Sequence, residues 1–251
     1  MIKELLTRDF ITHYNRIPSL PFNSTLIWKS TENTEFSLID DDTIIYSLDD
    51  GRGVARYNNL DSVNVTVINY EKFITPLPPR VKNTGSIGKN ICDLIVYTND
   101  NAHFLLNELT DTQTNLLYEH ERYGEKVEGK ISKARRQLKQ SLENIVDVPT
   151  IKNYIDNFKI KHCCFFNKQE NNAPEELIAT IAFNSFNTIS LTGNYMSNPD
   201  IENLGFEYWE FYGNQTYLIH EDFSKIKKLA KDFAKLSTKE VKDLAEILKA
   251  K

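Results

Sequence analysis

The sequence predicts an α/β protein: a central mixed sheet flanked by helices, with a β-rich N-terminal part. Three observations carry that expectation. Short β-branched and aromatic runs crowd residues 26–69, an apolar two-strand segment spans 91–110, and a helix-periodic stretch covers 131–145.

The elements follow in order. In MIKELLTRDFITHYNRI, Ile2, Leu5, Leu6, Phe10 and Ile11 fall at helical spacing, so residues 2–15 read as an amphipathic helix. The same stretch lacks the apolar core of a secretory leader. TLIWKS, EFSLI, DTIIYSL, GVARY and VNVTVINY read as strands, with DDGRG at 49–53 as a tight turn between two of them. TPLPPR at 75–80 is a stiff extended connector, because proline fixes φ and has no N–H to donate. It is the expected boundary between a β-rich subdomain, 1–79, and a core of 80–251.

Past that boundary the pattern predicts a charged loop at 118–129 and a helix over 131–145. Ile131, Ala134, Leu138, Leu142 and Ile145 share one stripe of that helix. FKIKHCCFF at 158–166 reads as a buried strand, and EELIATIAF at 175–183 as either helix or strand. GFEYWEFY and QTYLIHE are expected to pair as a hairpin across Gly213-Asn214. Two helices close the chain, one from Phe223 to Leu236, the other opened by the capping box Ser237-Thr238-Lys239-Glu240.

Composition bounds the function. The 251 residues carry a net charge of −5, which argues against a general nucleic-acid coat protein but permits a local basic cleft. No apolar stretch is long enough to span a bilayer, so no membrane partner is expected. Cys92, Cys163 and Cys164 are too few and too badly spaced for a disulfide framework and read as reduced thiols of a cytoplasmic protein. In His162-Cys163-Cys164, neighbouring side chains point to opposite faces of a strand, so core packing is the expected role. TGSIGK at 84–89 lacks the spacing of a phosphate loop and leads into a strand. The lysines at 225, 227, 228, 231 and 235 read as the solvated face of a helix, and Tyr208, Trp209, Phe211, Tyr212 and Tyr217 as core. No histidine has a recognisable Ser or Cys nucleophile beside it.

The hairpin at 91–110 carries the pointed signal. With a loop of two or four residues around Asn99-Asp100-Asn101, Asp93 lies opposite Glu108 and Ile91 opposite Thr110. Directly paired side chains share a face about 5 Å apart. Two carboxylates at that distance repel, and a divalent cation with oxygen ligands relieves them. Cys92, Leu94 and Val96 are expected on one face, and Ile95, Tyr97, Phe104 and Leu106 on the other, as in a strand pair covered on both sides. On spacing alone, strand-end charges pointing into water are an equal reading.

The order of a Gly-rich loop, CDLIVY, a turn, FLLNELT and then KARRQLKQSL resembles the PD-(D/E)XK nuclease superfamily over residues 83–167. The resemblance implies a restriction-endonuclease-like core and metal-dependent phosphodiester hydrolysis, of a bacterial defence or restriction type. It implies Asp93 and Glu108 as holders of Mg²⁺ or Mn²⁺ with the carbonyl of Leu109, and Lys133 and Gln137 as contacts to phosphate or water. It also implies nucleic acid as partner, DNA before RNA, with a homodimer as one form. An acid from an upstream helix often joins the set, and Glu4 is the candidate. The family's lysine position is Thr110 here. Lys133 is the substitute cation; the alternative is a catalytically degenerate fold that binds protein or nucleic acid. An unrelated α/β interaction module, with Asp93 and Glu108 incidental, is the third reading.

Overall fold

The structure is a computed structural model that describes residues 1–14, 24–40, 45–77, 90–122, 124–169 and 193–219, with Lys228 and Asp232. The expectations for TGSIGK, EELIATIAF and the two C-terminal helices fall outside these residues.

The protein is α/β, with a mixed sheet of seven strands as its centre. The strands are β1 (Trp28–Thr31), β5 (Val65–Asn69), β6 (Leu94–Thr98), β7 (His103–Thr110), β10 (Ile160–Asn167), β12 (Glu207–Tyr212) and β11 (Asn194–Met196), in that spatial order. β10 runs parallel to β7 and β12, and the other pairs are antiparallel. A second sheet has the order β13 (Thr216–Leu218), β4 (Ala55–Asn58), β2 (Glu35–Leu38), β3 (Ile45–Tyr46). The described α-helices are α1 (Ile2–Leu5), α2 (Ile11–Tyr14), α3 (Tyr70–Ile74), α4 (Lys130–Val146), α5 (Pro149–Ile155) and α6 (Pro199–Glu202), a π turn at Leu6–Phe10 joining the first two.

Strand alternation divides the interior into two layers. One face of the main sheet, with Ile68, Ile95, Leu106 and Phe165, packs on the apolar stripe of α4 and on Ile2, Leu6 and Phe10. The other face, with Val67, Val96, Leu105 and Phe166, packs on Phe36, Leu38 and Tyr57 of the second sheet. β6 and β7 therefore consist largely of buried residues, as two-sided coverage requires. Cys163 and Cys164 go to opposite layers as small core residues, and the five hairpin aromatics are buried.

Several local expectations change. The 118–129 stretch is a small hairpin of β8 (His120–Arg122) and β9 (Glu125–Val127), turning at Gly124 with φ +79°. GFEYWEFY and QTYLIHE do not pair. β10 and β11 already occupy both edges of β12, so the turn at Gly213 sends β13 into the second sheet beside β4. Cys92 joins the helix-side core rather than the layer of Leu94 and Val96, because the chain bends at Asp93 before β6 begins. Strands on both sides of the TPLPPR connector share the main sheet, since β5 pairs with β6. Among the described residues no helix is long and apolar enough to cross a membrane.

Candidate functional site

The β6–β7 loop has four residues, 99–102, with Asn101 at φ +59°, and Tyr97 pairs with Phe104. That is the register in which Asp93 falls opposite Glu108: Leu94 pairs with Asn107, and the Asp93 N–H donates to the Asn107 carbonyl at 3.0 Å. Asp93 is buried, and its Oδ2 accepts from the Leu109 N–H at 2.6 Å. A strand residue turns its N–H and C=O to the same edge, so the Leu109 carbonyl also points toward Asp93.

Three elements converge on Asp93. The Asp93 carbonyl accepts from the N–H groups of Tyr70 and Glu71 at 2.9 and 3.1 Å, which seats the start of α3 on it. Asn69 caps that helix through its side chain and the Lys72 N–H, at 2.8 Å. Glu71, in the first turn, is thereby brought to the site. Asp40, just past β2, arrives from the second sheet. Ligand oxygens of Asp40, Glu71 and Asp93 all lie within 4.8 Å of one another.

Glu108 lies outside that trio but feels the charge of all three. Although the residue is partly exposed, its Oε2 is buried and has no hydrogen-bond partner. Burial, followed by the charges of Asp93 and Asp40, pushes its carboxyl well above the usual carboxylate range; Lys133 pulls it down and Glu71 pushes it up. Alternation puts Thr110 on the same face as Glu108, and its hydroxyl meets that of Thr112 at 2.6 Å.

Helix α4 supplies the basic side and the struts. Its start is pressed against the 117–118 backbone, where a Cβ on Gly129 would lie 2.4 Å from the Leu117 carbonyl oxygen, so only glycine fits. Lys133 sits in the first turns, half-buried and facing Glu108 electrostatically. Gln137 is buried, and its Nε2 donates to the Ile91 carbonyl at 2.8 Å, while Ser141 Oγ accepts from the Cys92 N–H at 2.8 Å. These two side chains pin the segment that ends in Asp93. Gln137 thus holds the backbone before Asp93 with its Nε2, while its Oε1 is buried without a hydrogen-bond partner.

The structure therefore gathers Asp93, Glu108, Leu109 and Lys133 at one end of the central hairpin. Glu4 is exposed on α1 and is no part of the acidic cluster found among the described residues; the upstream-helix acid there is Glu71. Asp40, Glu71 and Ser141 were missed in the sequence. The signals present were the acid run Asp40-Asp41-Asp42 at a strand end and an acid two residues after the capping Asn69. An all-carboxylate oxygen set with one buried, unpartnered oxygen suits a hard divalent cation. No protein-family model matches this chain, and neither a curated protein nor a solved structure matches it.

Proposed function

We propose that the chain is a divalent-metal-dependent nuclease of the PD-(D/E)XK kind, hydrolysing phosphodiester bonds, with DNA as the favoured substrate. One observation carries the reading: ligand oxygens of Asp40, Glu71 and Asp93 converge within 4.8 Å, and Glu108, which feels their charge, keeps a buried, unpartnered Oε2 with Lys133 as the opposing charge. Such an arrangement costs stability unless a cation compensates it.

Asp93, Glu71, Asp40 and Glu108, with the Leu109 carbonyl, would hold Mg²⁺ or Mn²⁺. When bound, that ion supplies positive charge at the phosphoryl oxygens and acidifies water. The Leu109 N–H fixes the Asp93 carboxylate, and α4 fixes the backbone before it through Gln137 and Ser141. Lys133 provides the cation that stabilises charge developing on the phosphate in the transition state. In the reaction a water oxygen bonds to phosphorus, one P–O ester bond breaks, and a proton goes to the leaving oxygen.

A second reading has an observation of its own. The position of the family lysine holds Thr110, whose hydroxyl is engaged by Thr112. A degenerate fold used for binding would look like this. Incubating the purified protein with Mn²⁺ and single- and double-stranded DNA and RNA separates the two. The nuclease reading expects cleavage that Asp93→Asn abolishes. If wild type and Thr110→Lys are both inert while Mn²⁺ is bound, the protein is a binding module.

A further inference from the structure

A second polar concavity opens on the outer face of the four-stranded sheet. Phe36 and Leu38 point into the interior, so alternation turns Ser37 outward, beside its β4 partner Arg56. With Gly51, Gly53, Lys168 and Gly213 these residues line a cavity of about 220 Å³. That is far more room than the roughly 30 Å³ share of a water molecule.

The chemistry of the cavity is one-sided. Arg56 and Lys168 are its charged residues, and no Asp or Glu is among its described lining. Ser37 is 2% exposed, yet its Oγ has no hydrogen-bond partner, and Arg56 Nε is likewise buried and unpartnered. Arg56 Nη1 donates to Asn214 Oδ1 at 2.9 Å, which fixes the plane of the guanidinium. Asp50, on the covering loop, is already held by Arg52. A Cβ on Gly53 would lie 2.0 Å from Ser37 Oγ, so glycine alone lets that loop close over the pocket.

Two buried donors without acceptors are costly to keep, and an oxyanion supplies the acceptors they lack. We infer that this pocket binds a phosphate group. Arg56 offers the planar fork, Lys168 a point charge and Ser37 a hydroxyl, the set that recognises a tetrahedral anion. Its place gives the phosphate a source. Ser37 and Asp40 are three residues apart, hence at most about 10 Å between Cα atoms. The Lys168 N–H donates to the Thr110 carbonyl at 3.0 Å, two residues from Glu108. The pocket and the acidic cluster thus flank the same end of the main sheet. The phosphate belongs to the nucleic-acid strand that is cut; that source rests on the nuclease reading, whereas the affinity for phosphate does not.

The test uses the full chain in EDTA, first with inorganic phosphate against chloride at equal ionic strength. Phosphate should raise the melting temperature by mass action. Arg56→Gln and Lys168→Gln should each weaken phosphate binding about tenfold or more, the scale of one charge-assisted contact. Both variants should keep the stabilisation by Mn²⁺, which shows that they fold and that the acidic cluster is untouched. The second arm compares single-stranded deoxyoligonucleotides with a 5′-phosphate and with a 5′-hydroxyl. Weakening of both by the variants assigns the pocket to strand phosphates, and weakening of the first alone assigns it to a terminal phosphate. A phosphate shift that is absent in wild type, or that survives in both variants, overturns the inference. A missing Mn²⁺ response with the phosphate response intact overturns the nuclease reading alone.

Discussion

Glu108 and Glu210 occupy equivalent places in the main sheet and are treated in opposite ways. Both pair with Phe165 of β10, one from each side, so they stand two strand spacings, about 10 Å, apart. Both belong to the face covered by α4. Glu210 is satisfied: Arg135 Nη2 reaches it at 2.8 Å, and the Tyr212 hydroxyl donates to it at 2.6 Å. Glu108 has an unpartnered oxygen and three carboxylates for company. One helix thus brings a cation into contact with Glu210 on β12 and leaves a buried oxygen of Glu108 on β7 without a partner. The difference teaches that burial alone does not distinguish the two acids. On the proposed reading, what singles out Glu108 is burial that leaves one oxygen unpartnered.

Predictions that separate the two glutamates follow from the largest effect downward. On the proposed nuclease reading, Asp93→Asn and Glu108→Gln should each lower Mn²⁺-dependent cleavage by orders of magnitude, and Lys133→Ala by about a hundredfold or more, the scale of one lost transition-state contact. Glu210→Gln should leave the chemistry in place. Single-turnover rates on a common substrate measure all four, and equal losses at both glutamates would erase the contrast.

Stability should reverse the order. Glu210→Gln leaves Arg135 without its carboxylate and should cost about 2 kcal/mol in urea unfolding. That is below the roughly 3–5 kcal/mol of a fully buried pair, because the Arg135 side chain is 36% exposed. Glu108→Gln should leave the metal-free protein as stable as wild type or more so, since it removes a charge that burial and Asp93 disfavour.

The smallest effect is a pH slope. The folded Glu108 carboxyl sits above its ordinary value of 4.5, so the folded state favours the protonated form. Its contribution to stability is complete below the unfolded value and is lost as pH climbs through the raised folded one. The metal-free wild type should therefore lose stability with rising pH across that window, and Glu108→Gln should show a shallower decline. Melting curves in EDTA across the carboxylate and neutral range check this, and parallel curves would contradict it.

Only the Glu108 side of this contrast was legible in the sequence. The apolar hairpin and the helix over 131–145 follow from periodicities that burial enforces, whereas Asp93 falls opposite Glu108 only for a loop of two or four residues, and the structure has four. Asp40 and Glu71 were not legible. Their positions depend on a second sheet folding across the first, and on two N–H groups of α3 seating on the Asp93 carbonyl. No local pattern encodes contacts of that range. The same holds for β13, whose turn at Gly213 reads as a hairpin until the occupied edges of β12 exclude it. The partner of Glu210 was hidden as well, because Arg135 sits in the same basic helix as Lys133 and only packing tells them apart.

The central claim is that the buried, unpartnered oxygen of Glu108, beside Asp93, Asp40 and Glu71, is the place of a cation. Calorimetric titration of the metal-free protein with Mn²⁺ tests it most directly. Wild type should bind, Asp93→Asn and Glu71→Gln should each weaken binding about tenfold or more by removing a charged ligand, and Glu210→Gln should bind like wild type. No binding by wild type at millimolar Mn²⁺, or an affinity indifferent to both Asp93→Asn and Glu71→Gln, would contradict the account.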